Sequence, residues 1–232
     1  MKADRSRLTQ ADLLVQRTVT YNLKQIYGPS LSINGEEDTK ECEALEPAVT
    51  PDVIRRDGIL DMSLLKETKD RRQASGITKS ILGDLPELRD EFDASDASVW
   101  IDPVDGTNCF VKSWMECVTV IIGLSIKGRA RIGIVHSEYF IENFPELPPT
   151  LSPRTFFATL EHGAFYLSAD GVQHILPVSE ASHLESPFTA TKRGSKPLNH
   201  LPEGMIKRDY DMGGAGNKSL SVALGRIDAY AK

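Results

Sequence analysis

Cysteine is scarce in this 232-residue chain: Cys42, Cys109 and Cys117 are all there is, an odd count that fits no zinc spacing. The simplest reading is three reduced thiols in a cytoplasmic protein. No apolar run reaches the ~18 residues that a membrane-spanning helix needs, so none is expected. The first residues are polar and contain no signal-peptide core. An excess of positive charge is also missing. Lys and Arg number 27 against 33 Asp and Glu, a net charge of −6. Without a global basic field, nucleic acid is not an expected partner, and neither is a membrane. The five histidines, His136, His162, His174, His183 and His200, share no ligand spacing, and a non-catalytic role is the default for each. No internal repeat, low-complexity run or clean linker divides the chain.

Hydrophobic residues make up 40% and charged residues 26%, which suffices for a buried core. Thr9, with Asp12 three positions on, reads as a capping box. Leu14, Val15, Thr18, Leu23 and Ile26 then recur near helical spacing, and Gly28-Pro29 stops that helix. A short strand over Leu31 to Ile33 delivers Gly35-Glu36-Glu37. From Thr39 to Ala97 the chain is charged and irregular, with short helical patches expected near 51–59 and 61–69. Ser98 to Ile101 reads as a buried strand. Cys117 to Ile126 and Ala130 to Val135, joined at Lys127-Gly128, predict a β-hairpin. Further strands are expected at Phe156 to Ala158, Ala164 to Leu167, Val172 to Val178, Phe188 to Lys192 and Ile227 to Ala231, with a turn at Ala169-Asp170-Gly171. Gly213 to Leu224 reads as a glycine-rich loop feeding a helix. This mixture implies layered α/β structure.

The most informative segment is Asp102-Pro103-Val104-Asp105-Gly106-Thr107. Two carboxylates three positions apart, just past a strand, can point at one spot. Pro103 fixes φ in the turn between them. Gly106 lets the backbone approach a ligand. Thr107 adds a hydroxyl and an amide at the start of a helix. Mg²⁺ takes one or two carboxylates plus substrate phosphates, so the segment reads as a place where metal and phosphate meet. Read alone, it serves equally as an ordinary strand-to-turn connection. Asp12 likewise admits two readings, helix capping or chemistry.

Four ordered segments resemble a known family: Lys2 to Asp12, Ile33-Asn34-Gly35-Glu36-Glu37-Asp38, the Asp102 segment, and Gly213-Gly214-Ala215-Gly216-Asn217-Lys218. Together they resemble the lithium-sensitive, magnesium-dependent phosphomonoesterases of the inositol monophosphatase superfamily, nearest to the 3′(2′),5′-bisphosphate nucleotidase branch. The resemblance runs from Lys2 to about Tyr230 and is weak from Thr39 to Ala97. It implies an α-β-α-β-α sandwich of the sugar-phosphatase type, incomplete at the C-terminus. It also implies a single phosphatase domain over 1–232. Residues 1–140 would form the metal-binding half, with a charged insertion at about 39–97, and residues 141–232 a partial second half.

The resemblance further implies Mg²⁺ as cofactor. Its ligands would be Glu36, Asp102, Asp105 and the Val104 carbonyl, with Glu37 orienting a water. Asp12 and Thr107 become a pair that polarises the attacking water, a reasonable general-base relay. Gly106 faces the scissile phosphate. Gly214, Lys218, Thr191 and Ser195 become contacts to the rest of the substrate. The implied reaction is removal of the 3′-phosphate of adenosine 3′,5′-bisphosphate to give AMP. An inositol polyphosphate 1-phosphatase and a catalytically silent phospho-ligand-binding protein are the alternatives. The family's last metal ligand lies in a Trp-Asp pair, which this sequence lacks. On that comparison the chain is expected to be trimmed at both ends.

Overall fold

The computed structural model describes residues 8–48, 93–142, 150–160, 162–167, 173–176, 188–192, 206–210, 213–227 and 229–231. The helical patches expected at 51–59 and 61–69, the turn at 169–171 and Ser195 lie outside them.

Helix α1 spans Gln10–Tyr27 after Thr9 and closes at Gly28, whose φ of 93° only glycine adopts readily. Strand β1 (Ser32–Gly35) follows, then the short helix α2 (Thr39–Glu43), capped by Asp38 through the amides of Lys40 and Glu41. Strand β2 covers Ala97–Asp105 and leads through Gly106 into α3 (Thr107–Val111), the helix anticipated at Thr107. The expected hairpin is β3 (Thr119–Ile126) and β4 (Arg129–Glu142). Both turn residues have positive φ, Lys127 at 51° and Gly128 at 74°. That matches the type I′ geometry that suits strand twist. Strands β5 (Thr150–Thr159), β6 (Gly163–Leu167) and β7 (Gln173–Ile175) continue the meander. Then come β8 (Phe188–Lys192), β9 (Ile206–Tyr210), helix α4 (Ala215–Ala223) and β10 (Ala229–Ala231).

Strands β1 to β7 form one sheet in sequence order, parallel between β1 and β2 and antiparallel thereafter. The large sheet therefore extends beyond residue 140, through Ile175. A second sheet has the order β10-β8-β9, all parallel.

Leu31, Ala97, Val99 and Ile101 form a core that Val19 and Leu23 of α1 cover. Cross-strand register carries that face onward through Ile122, Ile134, Phe157 and Phe165. Phe157 and Phe165 stack at 5.3 Å between centroids. On the opposite face, Phe156, Val135 and Tyr166 pack with Leu220 of α4. Helix α4 also touches β3 of the large sheet and β10 of the small one. The layers are thus helix, large sheet, helix, small sheet, a layered α/β fold. Among the described residues no helix is long and apolar enough to cross a membrane.

Several boundaries differ from expectation: β4 and β5 run longer than their expected cores, and the end of β2 bears on the site. β2 does not end at Ile101. It pairs with β3 at Asp102↔Ile121 and again at Asp105↔Thr119, with an irregularity between. Pro103 interrupts the ladder, because it has no amide hydrogen, without ending the strand. The two carboxylates therefore sit on the strand's last turn of pleat rather than beyond it.

Candidate active site

The parallel pairing of β1 with β2 sets the site. Gly35 lies opposite Ile101, and the Glu36 amide donates to the Ile101 carbonyl at 3.1 Å. Glu36 and Asp102 are therefore neighbours across two strands, each the residue that follows a paired position. The turn after β2 then folds back. Gly106 has φ 88°, and its carbonyl accepts from Cys109 at 2.7 Å to start α3.

Asp12 is completely buried on α1. Its Oδ2 accepts the Thr9 amide at 2.8 Å and the Thr9 hydroxyl. Its Oδ1 accepts from the Thr107 hydroxyl at 3.3 Å. One oxygen caps the helix and the other faces the β2 turn. The single Thr107 proton has a second acceptor, the Val104 carbonyl at 3.0 Å. Val104 and Pro103 are buried.

Asp105 is the most heavily engaged group. Its Oδ1 accepts the Ala215 amide at 2.8 Å. Its Oδ2 accepts the Gly216 amide at 2.7 Å and the Thr119 hydroxyl at 2.9 Å. The carboxylate thus caps α4, where the helix dipole favours negative charge. In the Gly213 to Lys218 run, which the resemblance makes a contact to the rest of the substrate, two of the amides already serve Asp105. The glycines of that run approach protein. A methyl at Gly213 would fall on the Cys109 sulfur, and one at Gly214 would stand 2.8 Å from Asp105 Oδ2. A methyl at Gly216 would crowd Thr119 and Ile121. The helix start is pressed against the β2 turn, and only glycine fits.

Lys218 is buried, with Nζ 5.5 Å from the centre of the Tyr230 ring. Tyr230 is in register with Thr191 of β8, so Thr191 and Lys218 adjoin the same residue of β10.

Sequence reasoning missed Gln16. It is buried one helical turn after Asp12. Its Nε2 donates to the Glu37 carbonyl at 2.9 Å, and its Oε1 accepts the Glu37 amide at 2.8 Å. The signal was available as a polar residue at i+4 from Asp12. The fully buried positions of α1 are Asp12, Gln16 and Asn22, all polar.

Burial pushes the Cys42 thiol above its ordinary range, helped by the nearby carboxylates of Glu37, Asp38 and Glu41. Burial likewise raises Cys109, with the Cys117 sulfur beside it.

As donors, Glu36, Asp102, Asp105 and the Val104 carbonyl are all oxygen. That set suits a hard divalent cation better than it suits zinc or copper. Among the described residues no three His, Cys, Asp or Glu side chains close around one point. The acids share one end of the sheet, and Asp105 turns toward α4.

A model of the inositol monophosphatase family matches residues 2–232. The chain is 30% identical over 226 residues to 3′(2′),5′-bisphosphate nucleotidase 1 of Rattus norvegicus, covering 96% of this chain and 61% of that protein. Of solved structures, a staphylococcal inositol monophosphatase-1 in a LiCl-soaked inhibitory complex aligns with a TM-score of 0.55 at 16% identity. That match covers 97% of this chain and 62% of the other. An inositol monophosphatase/NADP phosphatase complexed with NADP and Ca²⁺ aligns with a TM-score of 0.53 at 14% identity, covering 97% and 63%. At such identities the structural matches speak to the fold alone. The chain spans 61% of the length of the rat relative.

Proposed function

Because the chain belongs to the inositol monophosphatase family, we propose that it is a Mg²⁺-dependent phosphomonoesterase acting on a small bisphosphorylated substrate. Adenosine 3′,5′-bisphosphate is the substrate of first choice. Water attacks phosphorus, the bond to the 3′-oxygen breaks, a proton passes to that oxygen, and AMP and phosphate leave. The observation that carries the reading is the Asp12–Thr107 contact at the end of β2, beside the Glu36–Asp102 pair.

Glu36, Asp102, Asp105 and the Val104 carbonyl would hold the cation. A bound divalent cation supplies charge neutralisation for the phosphoryl group and makes nearby water more acidic. The chain's own residues manage the proton. Thr9 occupies Asp12 Oδ2, which leaves Oδ1 to accept the Thr107 proton as Thr107 Oγ1 takes one from the attacking water. Glu37 orients that water. Gly106 and the amides at the start of α3 face the scissile phosphate. Gly214, Lys218, Thr191 and Ser195 hold the part of the substrate that does not react. The nucleotide preference is supported by the identity to the rat nucleotidase.

Phosphate release from adenosine 3′,5′-bisphosphate and from inositol 1,4-bisphosphate, each with and without Mg²⁺, tests the reading. Mg²⁺-dependent turnover of the nucleotide is expected. Turnover of the inositol substrate alone would move the assignment to a polyphosphate 1-phosphatase. Binding of either substrate without turnover would leave a silent phospho-ligand-binding protein.

A further inference from the structure

Two side chains of α1 reach the site. Asp12 meets the turn after β2, and Gln16, one helical turn later, meets the turn after β1. We infer that Gln16 is a positioning residue: its carboxamide fixes the backbone of Glu37, and thereby of Glu36, for cation binding. This rests on the metal reading proposed above.

The geometry is that of a two-point clamp. A side-chain amide that both donates to and accepts from one residue's backbone fixes its position and its rotation about the chain. The lengths, 2.9 and 2.8 Å, are those of well-formed bonds. Gln16 and Glu37 are both buried, so neither bond is readily replaced by water. The strand makes room for the clamp, because a Cβ at Gly35 would coincide with the Gln16 carboxamide. Gln16 Nε2 also reaches Cys42 Sγ at 3.4 Å, which ties it to α2. Glu36 is held from the other side by the hydrogen bond that its amide donates to the Ile101 carbonyl. The segment that bears both glutamates is thus pinned by β2 on one side and α1 on the other. Residues that hold ligands from behind typically cost 10- to 100-fold in metal affinity when lost.

The test is calorimetric titration of the full chain with Mg²⁺, alongside thermal melting without metal. Gln16→Met keeps the volume and removes both bonds. Gly35→Ala keeps Gln16 but drives its amide out of place. Both are expected to weaken Mg²⁺ binding by roughly 10- to 100-fold. At saturating Mg²⁺ the KM for the bisphosphate should stay near the wild-type value. Asn22→Ala is the control, since it removes a buried polar group of the same helix that bonds to Thr18 within the helix. It should lower the melting temperature and leave Mg²⁺ affinity unchanged. The inference is overturned if Gln16→Met binds Mg²⁺ like wild type. It is overturned equally if Asn22→Ala weakens binding as much, because general loosening would then explain both. A wild-type chain that takes up no Mg²⁺ sinks the metal reading itself, and this inference with it.

Discussion

Asp105 and Asp102 look interchangeable in the sequence, but their surroundings separate them. Asp105 accepts three bonds, two of them from the first amides of α4. An asparagine there must turn its NH₂ toward donors on one side or the other. Asp105→Asn should therefore lower stability by about 1–2 kcal/mol, the scale of a lost helix cap, as well as weaken the cation site. Asp102→Asn should lose phosphatase activity. Urea denaturation of Asp105→Asn against wild type checks the cap, and an unchanged midpoint would remove Asp105 from its capping role. The cysteines differ in the same way. Cys42 and Cys109 are buried with raised thiol pKa values, and Cys117 is half-buried. Iodoacetamide at pH 8 should label Cys117 first, because the thiolate is the reactive form. Raising the pH through the ordinary thiol range should also destabilise the fold. The unfolded chain ionises there first, so it binds fewer protons than the native state. Mass spectrometry of partial labelling, and melting curves against pH, report the two effects.

At the scale of elements, strong periodicity was legible and interrupted or polar patterns were not. The β3–β4 hairpin follows from alternating Val and Ile around Lys127-Gly128, and β8 falls at the expected residues. β9 went unread because Ile206-Lys207-Arg208-Asp209-Tyr210 carries three consecutive charges, and it lies at the edge of the small sheet. The end of β2 is hidden in the sequence because Pro103 looks like a stop, whereas pairing resumes at Asp105. Gln16 escaped notice because helix reading tracks apolar positions, and at this end of α1 the buried positions are polar. The resemblance implies that Glu36 and Asp102 serve one cation, whereas their adjacency across β1 and β2, like the clamp behind Glu37, needed the fold. The turn gives a direct test. Gly128→Ala puts a Cβ at φ 74° and should cost about 1–2 kcal/mol. Lys127→Gly should instead gain a few tenths of a kcal/mol, since glycine adopts positive φ without steric cost. Thermal melting of both variants decides, and opposite signs are the expected result.

For the molecule as a whole, α4 is the part that joins core, site and second sheet. Its start is capped by Asp105, its Lys218 stands over Tyr230 of the small sheet, and its Leu220 packs with Phe156 and Leu176 on the large one. Just past its end, Arg226 donates to the Ile141 carbonyl at 2.7 Å and lies over the Phe140 ring. A defect in its packing should therefore be felt at the acids. Leu220→Ala removes buried methyl groups far along the helix from Asp105 and should cost about 2–5 kcal/mol. If α4 moves as one rigid element, the loss should also loosen the bonds from Ala215 and Gly216 to Asp105. Mg²⁺ affinity would then fall even though no ligand has been touched. Ile134→Val, a smaller cut in the Phe157–Phe165 cluster on the other face, should lower stability by about 0.5–1.5 kcal/mol and leave the cation site alone. Urea denaturation and Mg²⁺ titration on both variants separate the two faces. Equal Mg²⁺ affinity in Leu220→Ala and wild type would mean that the cap on α4 holds independently of its packing, and that the coupling between core and site runs through α1 alone.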